Sequence, residues 1–213
     1  MIASLATTAP TQFLDIGGTR FAFRRFGIPS GTPLVFTQHF MGNLDNFDPA
    51  IGDALASGRE IILCDNAGVG RSTGTAPDTI AGMAADAARF IDGLGLTTVD
   101  ILGHSMGGEI AQLIALDRSD LVRRLVLVGT GPRGGDAIAR QAPEVAPLFA
   151  RRDELGEDRW LPIMFSPSKE SQAAGRAFVS RITARTDDRY VERFVRRVID
   201  FLDVQPDDTT TAA

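Results

Sequence analysis

The sequence predicts an α/β protein: a mostly parallel sheet with helices on both faces. Three observations carry that expectation. From Leu34 to Val128, short apolar runs alternate with helix-length segments in the order strand, helix, strand, helix, strand, helix, strand. Right-handed crossovers in a parallel sheet produce this alternation. Ahead of them, Phe13–Ile16 and Arg20–Phe26 alternate apolar and polar residues about Gly17-Gly18, which reads as an opening β-hairpin. Finally, Gly103-His104-Ser105-Met106-Gly107-Gly108 lies between a strand-like run and a helix-like stretch. Its glycines allow two backbone segments to approach with no Cβ between them.

The elements follow in order. Pro33-Leu34-Val35-Phe36-Thr37 is a short apolar run bounded by turn residues, hence a buried strand. Gln38 to Asn46 forms a loop, and Asp48-Pro49 opens a helix to about Ser57 with Pro49 at its first position. Glu60 to Leu63 is the next buried strand, running into the turn-rich stretch Asp65 to Ser72. A helix from Thr79 to about Leu94 places Ile80, Met83, Ala84, Ala87, Phe90 and Ile91 on one face. Val99 to Leu102 leads into the serine turn, Glu109 to Leu116 belongs to the helix after it, and Arg124 to Val128 is a further strand.

Beyond Gly129 the texture changes. Thr130 to Asp136 is a glycine-rich loop. Pro143 to Arg152 and Lys169 to Arg185 read as helices, the second with Ser166 as cap and Pro167 at its first position. Asp188 to Asp203 is amphipathic, with Val191, Phe194, Val195, Val198, Ile199 and Leu202 in one stripe and a Glu192–Arg196 pair opposite. The tail from Val204 to Ala213 is polar and expected to fray.

Composition narrows the class. At 213 residues and 44 % apolar content the chain can bury a sizeable core as one domain. Net charge is −5, from 27 acidic and 22 basic side chains with no Lys/Arg stripe, which argues against a nucleic-acid surface. Cys64 is the single cysteine and sits in an apolar run, so it reads as a small core residue and not as a reactive thiol. Met1 to Pro10 has neither the basic segment nor the apolar stretch of a secretory signal. No run approaches the ~18 apolar residues that span a bilayer. The expectation is a cytoplasmic protein with no membrane or nucleic-acid partner.

Strand, sharp turn, helix is the context in which G-x-S-x-G carries chemistry: the turn holds a serine with its hydroxyl exposed, and Ser105 is the candidate nucleophile. The alternative is a merely structural turn. The helix beginning there offers unpaired N–H groups that favour negative charge beside the hydroxyl. Ligands of such sheets bind outside the carboxyl ends of the strands, where Gln38–Asn43, Asp65–Ser72 and Ser105 would converge. A phosphate-binding role for Gly68-Val69-Gly70 is disfavoured, because the third glycine of the dinucleotide fingerprint is missing and no Gly-Lys-Ser/Thr occurs.

These residues resemble the α/β-hydrolase fold, in its esterase and haloperoxidase-like branch, over roughly Phe13 to Phe165. The resemblance rests on Gln38-His39-Phe40, on Asp65 to Ser72, on Gly103 to Gly108 and on Gly129-Thr130-Gly131-Pro132. The family usually has His-Gly where this chain has Gln38-His39, and often Arg-Gly where it has Ala67-Gly68. The resemblance implies a core over residues 1–130, a helical lid or cap over 131–186, a C-terminal helix packing on the core over 187–203 and a frayed tail over 204–213. It implies Ser105 as nucleophile and the backbone N–H groups of Phe40 and Met106 as oxyanion hole, with Asn43 helping to hold the loop. The Phe40 ring, His104, Trp160 and Met164 would line a pocket for a small apolar ester or related acyl substrate, with no cofactor and no metal. Ordinary packing against the sheet is the competing account of the lid aromatics.

The sequence departs from the family where a base is needed. The triad order in this fold is serine, acid, histidine, yet no histidine follows Ser105; the chain has only His39 and His104. No convincing pair of strands follows Val128 either, so the C-terminal part of the sheet reads as truncated. His39, on the loop beside the serine, is the remaining candidate base, with a loop imidazole bonded to backbone as the blander account. His104 reads as packing beneath the turn. Asp136 could approach from the loop after the last strand, and Asp65 reads as the cap of its own turn. A catalytically silent binding protein is therefore the alternative to a weak hydrolase. Leu125–Val128 would also form an apolar sheet edge. The expectation is that the 188–203 helix covers it or that two chains pair there as a homodimer through residues 125–128.

Overall fold

The computed structural model describes residues 5–29, 31–132, 147–148 and 151–188. The six strands are β1 (Gln12–Ile16), β2 (Thr19–Gly27), β3 (Leu34–Thr37), β4 (Glu60–Cys64), β5 (Val99–His104) and β6 (Val122–Val128). They form one sheet in the order β1-β2-β4-β3-β5-β6. β1 and β2 are the expected hairpin, turning at Gly17 and Gly18, both at positive φ (56° and 82°). β2 is antiparallel to β4, whereas β4, β3, β5 and β6 run parallel.

Alternation along the strands divides the core between two layers. Phe21, Phe23, Val35, Ile62 and Ile101 face α3 (Ile80–Gly93) and α4 (Met106–Asp117), where Phe90, Ile91, Ile110 and Ile114 complete one cluster. Ala22, Phe26, Leu34, Phe36, Ile61 and Leu63 face the other way, onto α1 (Leu5–Thr8) and α2 (Pro49–Ala56). Residues one apart in sequence thus enter opposite cores, the consequence of a period of two. Both faces being covered explains why β3 and β4 are unbroken apolar runs. Cys64 belongs to the first cluster, and burial pushes its thiol up to about 12, so it stays protonated.

Helix starts follow their capping chemistry. Asp48 accepts from Ala50 N at 2.9 Å with Pro49 next in line, and Thr79 accepts from Gly82 N at 3.1 Å. Further along the chain come α5 (Arg152–Leu155), a 3₁₀ turn (Gly156–Arg159), α6 (Trp160–Met164) and α7 (Lys169–Ile182). The start of α7 corrects the sequence reading: its cap is Ser168, whose hydroxyl accepts from Ser171 N at 3.2 Å, and not Ser166. Ser166 instead offers its carbonyl to the Gln172 amide at 3.0 Å. α7 also ends earlier than Arg185, at Ile182. A bidentate pair of 2.7 Å bonds from Arg181 to the Asp48 carboxylate ties α7 back to the start of α2.

Most of the Pro143–Arg152 helix, Asp136, nearly all of the 188–203 helix and the 204–213 tail lie outside the described residues. Among the described residues no strand follows β6, and no helix is long and apolar enough to cross a membrane.

Candidate active site

The site is built where the carboxyl ends of β3, β5 and β6 meet the start of α4. Ser105 occupies the single residue between β5 and α4, with φ 54° and ψ −124°, a conformation that a residue with a Cβ seldom adopts. Its N–H donates to the Val128 carbonyl at 2.9 Å, and its carbonyl accepts from Gly108 N at 2.8 Å. Ser105 is the N-cap of α4, yet its side chain makes no capping bond. The hydroxyl is therefore not consumed in closing the helix.

Glycines make the turn sterically feasible. A Cβ on Gly103 would stand 2.5 Å from the Gly107 carbonyl oxygen, and one on Gly107 would stand 2.0 Å from that of Thr37. The end of β3 is thus pressed onto the serine turn. Thr37 Oγ1 adds a 2.7 Å bond to the Gly107 carbonyl.

The loop after β3 is a tight turn closed by a bond from Gly42 N to the His39 carbonyl at 2.9 Å, with Met41 held at φ 63°. Asn43 has the expected holding role: its Oδ1 accepts from Asp45 N at 2.8 Å, while its N–H donates to Asn46 Oδ1 at 3.0 Å. Asp65 caps its own turn by accepting from Arg71 N at 2.8 Å, as its position suggests. It also reaches across to Leu44 N at 2.7 Å, a long-range tie between the two loops that spacing could not reveal. Burial raises the Asp65 carboxyl to about 7.

His39 is buried, and its Nδ1 lies 2.8 Å from the Phe40 carbonyl. A carbonyl accepts only, so Nδ1 carries the proton and Nε2 is left as an acceptor. The Nε2 edge lies against Gly42, where a Cβ would come within 3.0 Å. Burial foremost, aided by His104 and Arg159, lowers the His39 pKa to about 4. His104 is also shifted down by burial. The His39 ring stands between those of His104, at 5.2 Å, and Trp160, at 4.9 Å, both edge to face. Trp160 is buried and donates from Nε1 to Glu157 at 2.9 Å, so the 3₁₀ turn and α6 are seated on the loop after β3.

Ser105, His104, His39, Phe40, Met106 and Trp160 are thus drawn together by the ends of β3 and β5 and by the α6 segment. Met106 is the first residue of α4, whose N–H has no acceptor within the helix. Met164, at the far end of α6, is 39 % exposed. Among the described residues, no hydrogen bond joins the Ser105 hydroxyl to an imidazole or a carboxylate. No group of three or more His, Cys, Asp or Glu among them could hold a metal ion. The Glu157–Trp160–His39–His104 chain was not legible beforehand, because Glu157 and Trp160 are far from His39 in sequence and join it only through the fold.

Topology, the glycine-lined serine turn and the adjoining β3 loop define one class, and comparison with known proteins agrees. A family model described as the alpha/beta hydrolase fold matches residues 32–157, more than half of the chain. The chain belongs to that family. An alpha/beta hydrolase fold protein from Chitinophaga pinensis superposes with a TM-score of 0.79 at 43 % identity, covering 87 % of this chain and 66 % of that one. Among curated proteins, an acetyltransferase component of the acetoin cleaving system from Cupriavidus necator is 38 % identical over 132 residues, covering 61 % of this chain and 34 % of its own. An sn-1-specific diacylglycerol lipase from Mus musculus is 34 % identical over 103 residues, covering 47 % of this chain and 33 % of its own. The chain spans about a third of the length of these two curated relatives.

Proposed function

We propose that the chain is a cofactor-free serine hydrolase acting on a small ester or related acyl substrate through Ser105. The observation that carries this reading is the backbone of Ser105, a non-glycine residue held at positive φ at the head of α4 with its hydroxyl uncommitted. Such strain costs about 1–3 kcal/mol and persists where the surroundings over-determine it. In this reading Oγ attacks the acyl carbon as its proton passes to the base, and the carbonyl oxygen, as it becomes an oxyanion, accepts from the N–H groups of Met106 and Phe40; collapse breaks the C–O bond to the alcohol, which leaves with that proton, and water then releases the acid from the acyl-serine. Each such donor is worth ~3 kcal/mol when removed. The acyl group lies against Phe40, with His104, Trp160 and Met164 around it.

His39 is the candidate base. Its bare Nε2 is in the correct protonation state, but a pKa near 4 makes it a weak base at neutral pH. Turnover through so weak a base is accordingly low, since disabling the base of such a serine costs on the order of 10⁴ to 10⁶ in turnover. The oxyanion donors and binding still leave roughly 10³-fold over water. A second reading, a silent small-molecule binder on the same scaffold, is favoured by the missing bond between Ser105 and any imidazole among the described residues. Turnover of p-nitrophenyl acetate separates the two. A slow rate that falls to the buffer rate in Ser105→Ala supports the hydrolase, and an identical rate in both proteins supports the binder.

A further inference from the structure

Both peptides that flank Phe40 are pinned. The one carrying the Phe40 N–H has its His39 carbonyl bonded to Gly42 N at 2.9 Å, and in the next the Phe40 carbonyl accepts from His39 Nδ1 at 2.8 Å. In a planar trans peptide the N–H points opposite to the C=O, so fixing the His39 carbonyl fixes the direction of the Phe40 N–H. Met41 follows at φ 63°, a non-glycine residue in the left-handed region. Strain of that kind persists only where the surroundings over-determine it. The loop after β3 therefore has to be held from outside itself.

Glu157 supplies that hold. From the 3₁₀ turn its Oε2 accepts from Trp160 Nε1 at 2.9 Å and from Asn46 Nδ2 at 3.4 Å, with Arg159 Nη1 3.6 Å away. The two neutral donors lead to opposite ends of the β3 loop. Trp160 seats its ring on His39, 4.9 Å between ring centres, and His39 grips the Phe40 carbonyl. Asn46 closes the other end: its Oδ1 accepts from Asn43 N at 3.0 Å, and its own N–H donates to the Asn43 carbonyl at 3.0 Å. Bonds to a carboxylate are charge-assisted and stronger than neutral ones. Glu157 lies 111 residues beyond Asn46, so no turn within the loop replaces it.

We propose that Glu157 is a positioning residue: by clasping the β3 loop at both ends it keeps the Phe40 N–H aimed at the developing oxyanion. That N–H is one of the two oxyanion donors of the hydrolase reading above, on which this role rests. Glu157 itself touches no reacting atom. Donors aimed in advance act on the transition state and hardly on the bound substrate. Loosening the clasp therefore lowers kcat and leaves KM nearly unchanged.

A paired substitution tests this. Asn46→Asp sets a second carboxylate against Glu157 while retaining an oxygen for Asn43 N. With p-nitrophenyl acetate its kcat should fall roughly ten- to a hundred-fold, since a misaimed donor costs less than the about 10²–10³ of a deleted one. Adding Glu157→Gln should recover most of the loss, because the amide accepts from Trp160 and donates to the new carboxylate; such non-additivity marks a direct pair. Phenylboronic acid, which becomes a tetrahedral anion on the serine, should lose affinity in Asn46→Asp by the same factor as kcat. Trp160 is the single tryptophan of the chain, so its emission reports whether α6 stays seated. If Asn46→Asp does not fold, Glu157→Leu is read in its place, with the same fall in kcat expected. A raised KM at unchanged kcat, or a double variant no faster than Asn46→Asp, overturns the proposal. An unchanged kcat with a lowered Tm overturns it equally, since the clasp is then purely structural. A wild type without Ser105-dependent turnover removes the hydrolase reading and the positioning role with it, whereas a Ser105-dependent wild type with unaffected variants removes the positioning role alone.

Discussion

Ser105 holds its unusual backbone because three neighbours leave it no alternative. Gly103 and Gly107 admit the close approach, and Val128 takes its N–H. Two opposite consequences follow for substitutions. Ser105→Gly relieves the positive φ and should raise Tm by a few degrees, since ~1 kcal/mol corresponds to about 2–4 °C at this size. Gly107→Ala drives a Cβ to 2.0 Å from the Thr37 oxygen and should cost more than about 4 kcal/mol or abolish folding. Thermal unfolding followed by circular dichroism reads both, and a stabilised Gly107→Ala would refute the packing described. The pH dependence divides between two buried groups. The His39 pKa is lowered from 6.5 to about 4, so the stability of its neutral state is fully present above 6.5 and is lost as pH falls toward 4. Asp65, raised from 3.8 to about 7, acts in the opposite sense: the folded state holds its proton more tightly, and stability falls as pH rises from 4 toward 7. Because Asp65 offsets His39 across this window, the prediction is a difference: on acidification from 6.5 to 4 the stability of His39→Gln should change more favourably than that of wild type. Urea titrations across that window measure it, and parallel curves would exclude the buried, neutral imidazole.

At the level of elements, amphipathic periodicity and cap residues were sufficient for α2, α3 and the parallel strands, because each buries its face locally against the sheet. Phe90 shows this most clearly: it was expected on the inner face of α3 and is wholly buried, 5.6 Å from Phe21 and 5.5 Å from Phe23 between ring centres. Phe90→Ala should cost about 3–5 kcal/mol, visible as a large drop in the urea midpoint; a change below 1 kcal/mol would mean that the cavity collapses freely. The α7 cap was misjudged because Ser166 and Ser168 both precede a helix-forming run, and local sequence does not say which hydroxyl meets a free N–H. The Arg181–Asp48 tether was equally hidden, since it joins residues at opposite ends of the chain. Its two ends should differ in effect. Asp48→Ala removes a helix cap and should cost about 1 kcal/mol, whereas the half-exposed Arg181→Ala should cost under ~1 kcal/mol.

Across the whole molecule, the fold was legible because it rests on the alternation of strands and helices, which sequence records directly. The site was legible only in part. Ser105 stands out through its glycine spacing, whereas Phe40 and Met106 enter only through the family resemblance, and the environment of His39 depends on Trp160, Glu157 and Arg159 arriving from the α6 segment and the turn before it. Burial set by distant residues then decides the imidazole's protonation, and no local motif encodes it. The central claim remains that Ser105 is a competent nucleophile on this scaffold. Treating the folded protein with a fluorophosphonate and locating the adduct by mass spectrometry tests it most directly. The adduct should map to Ser105, vanish in Ser105→Ala and vanish when the protein is unfolded before treatment; an unlabelled folded protein, or an adduct on any other residue, would contradict it.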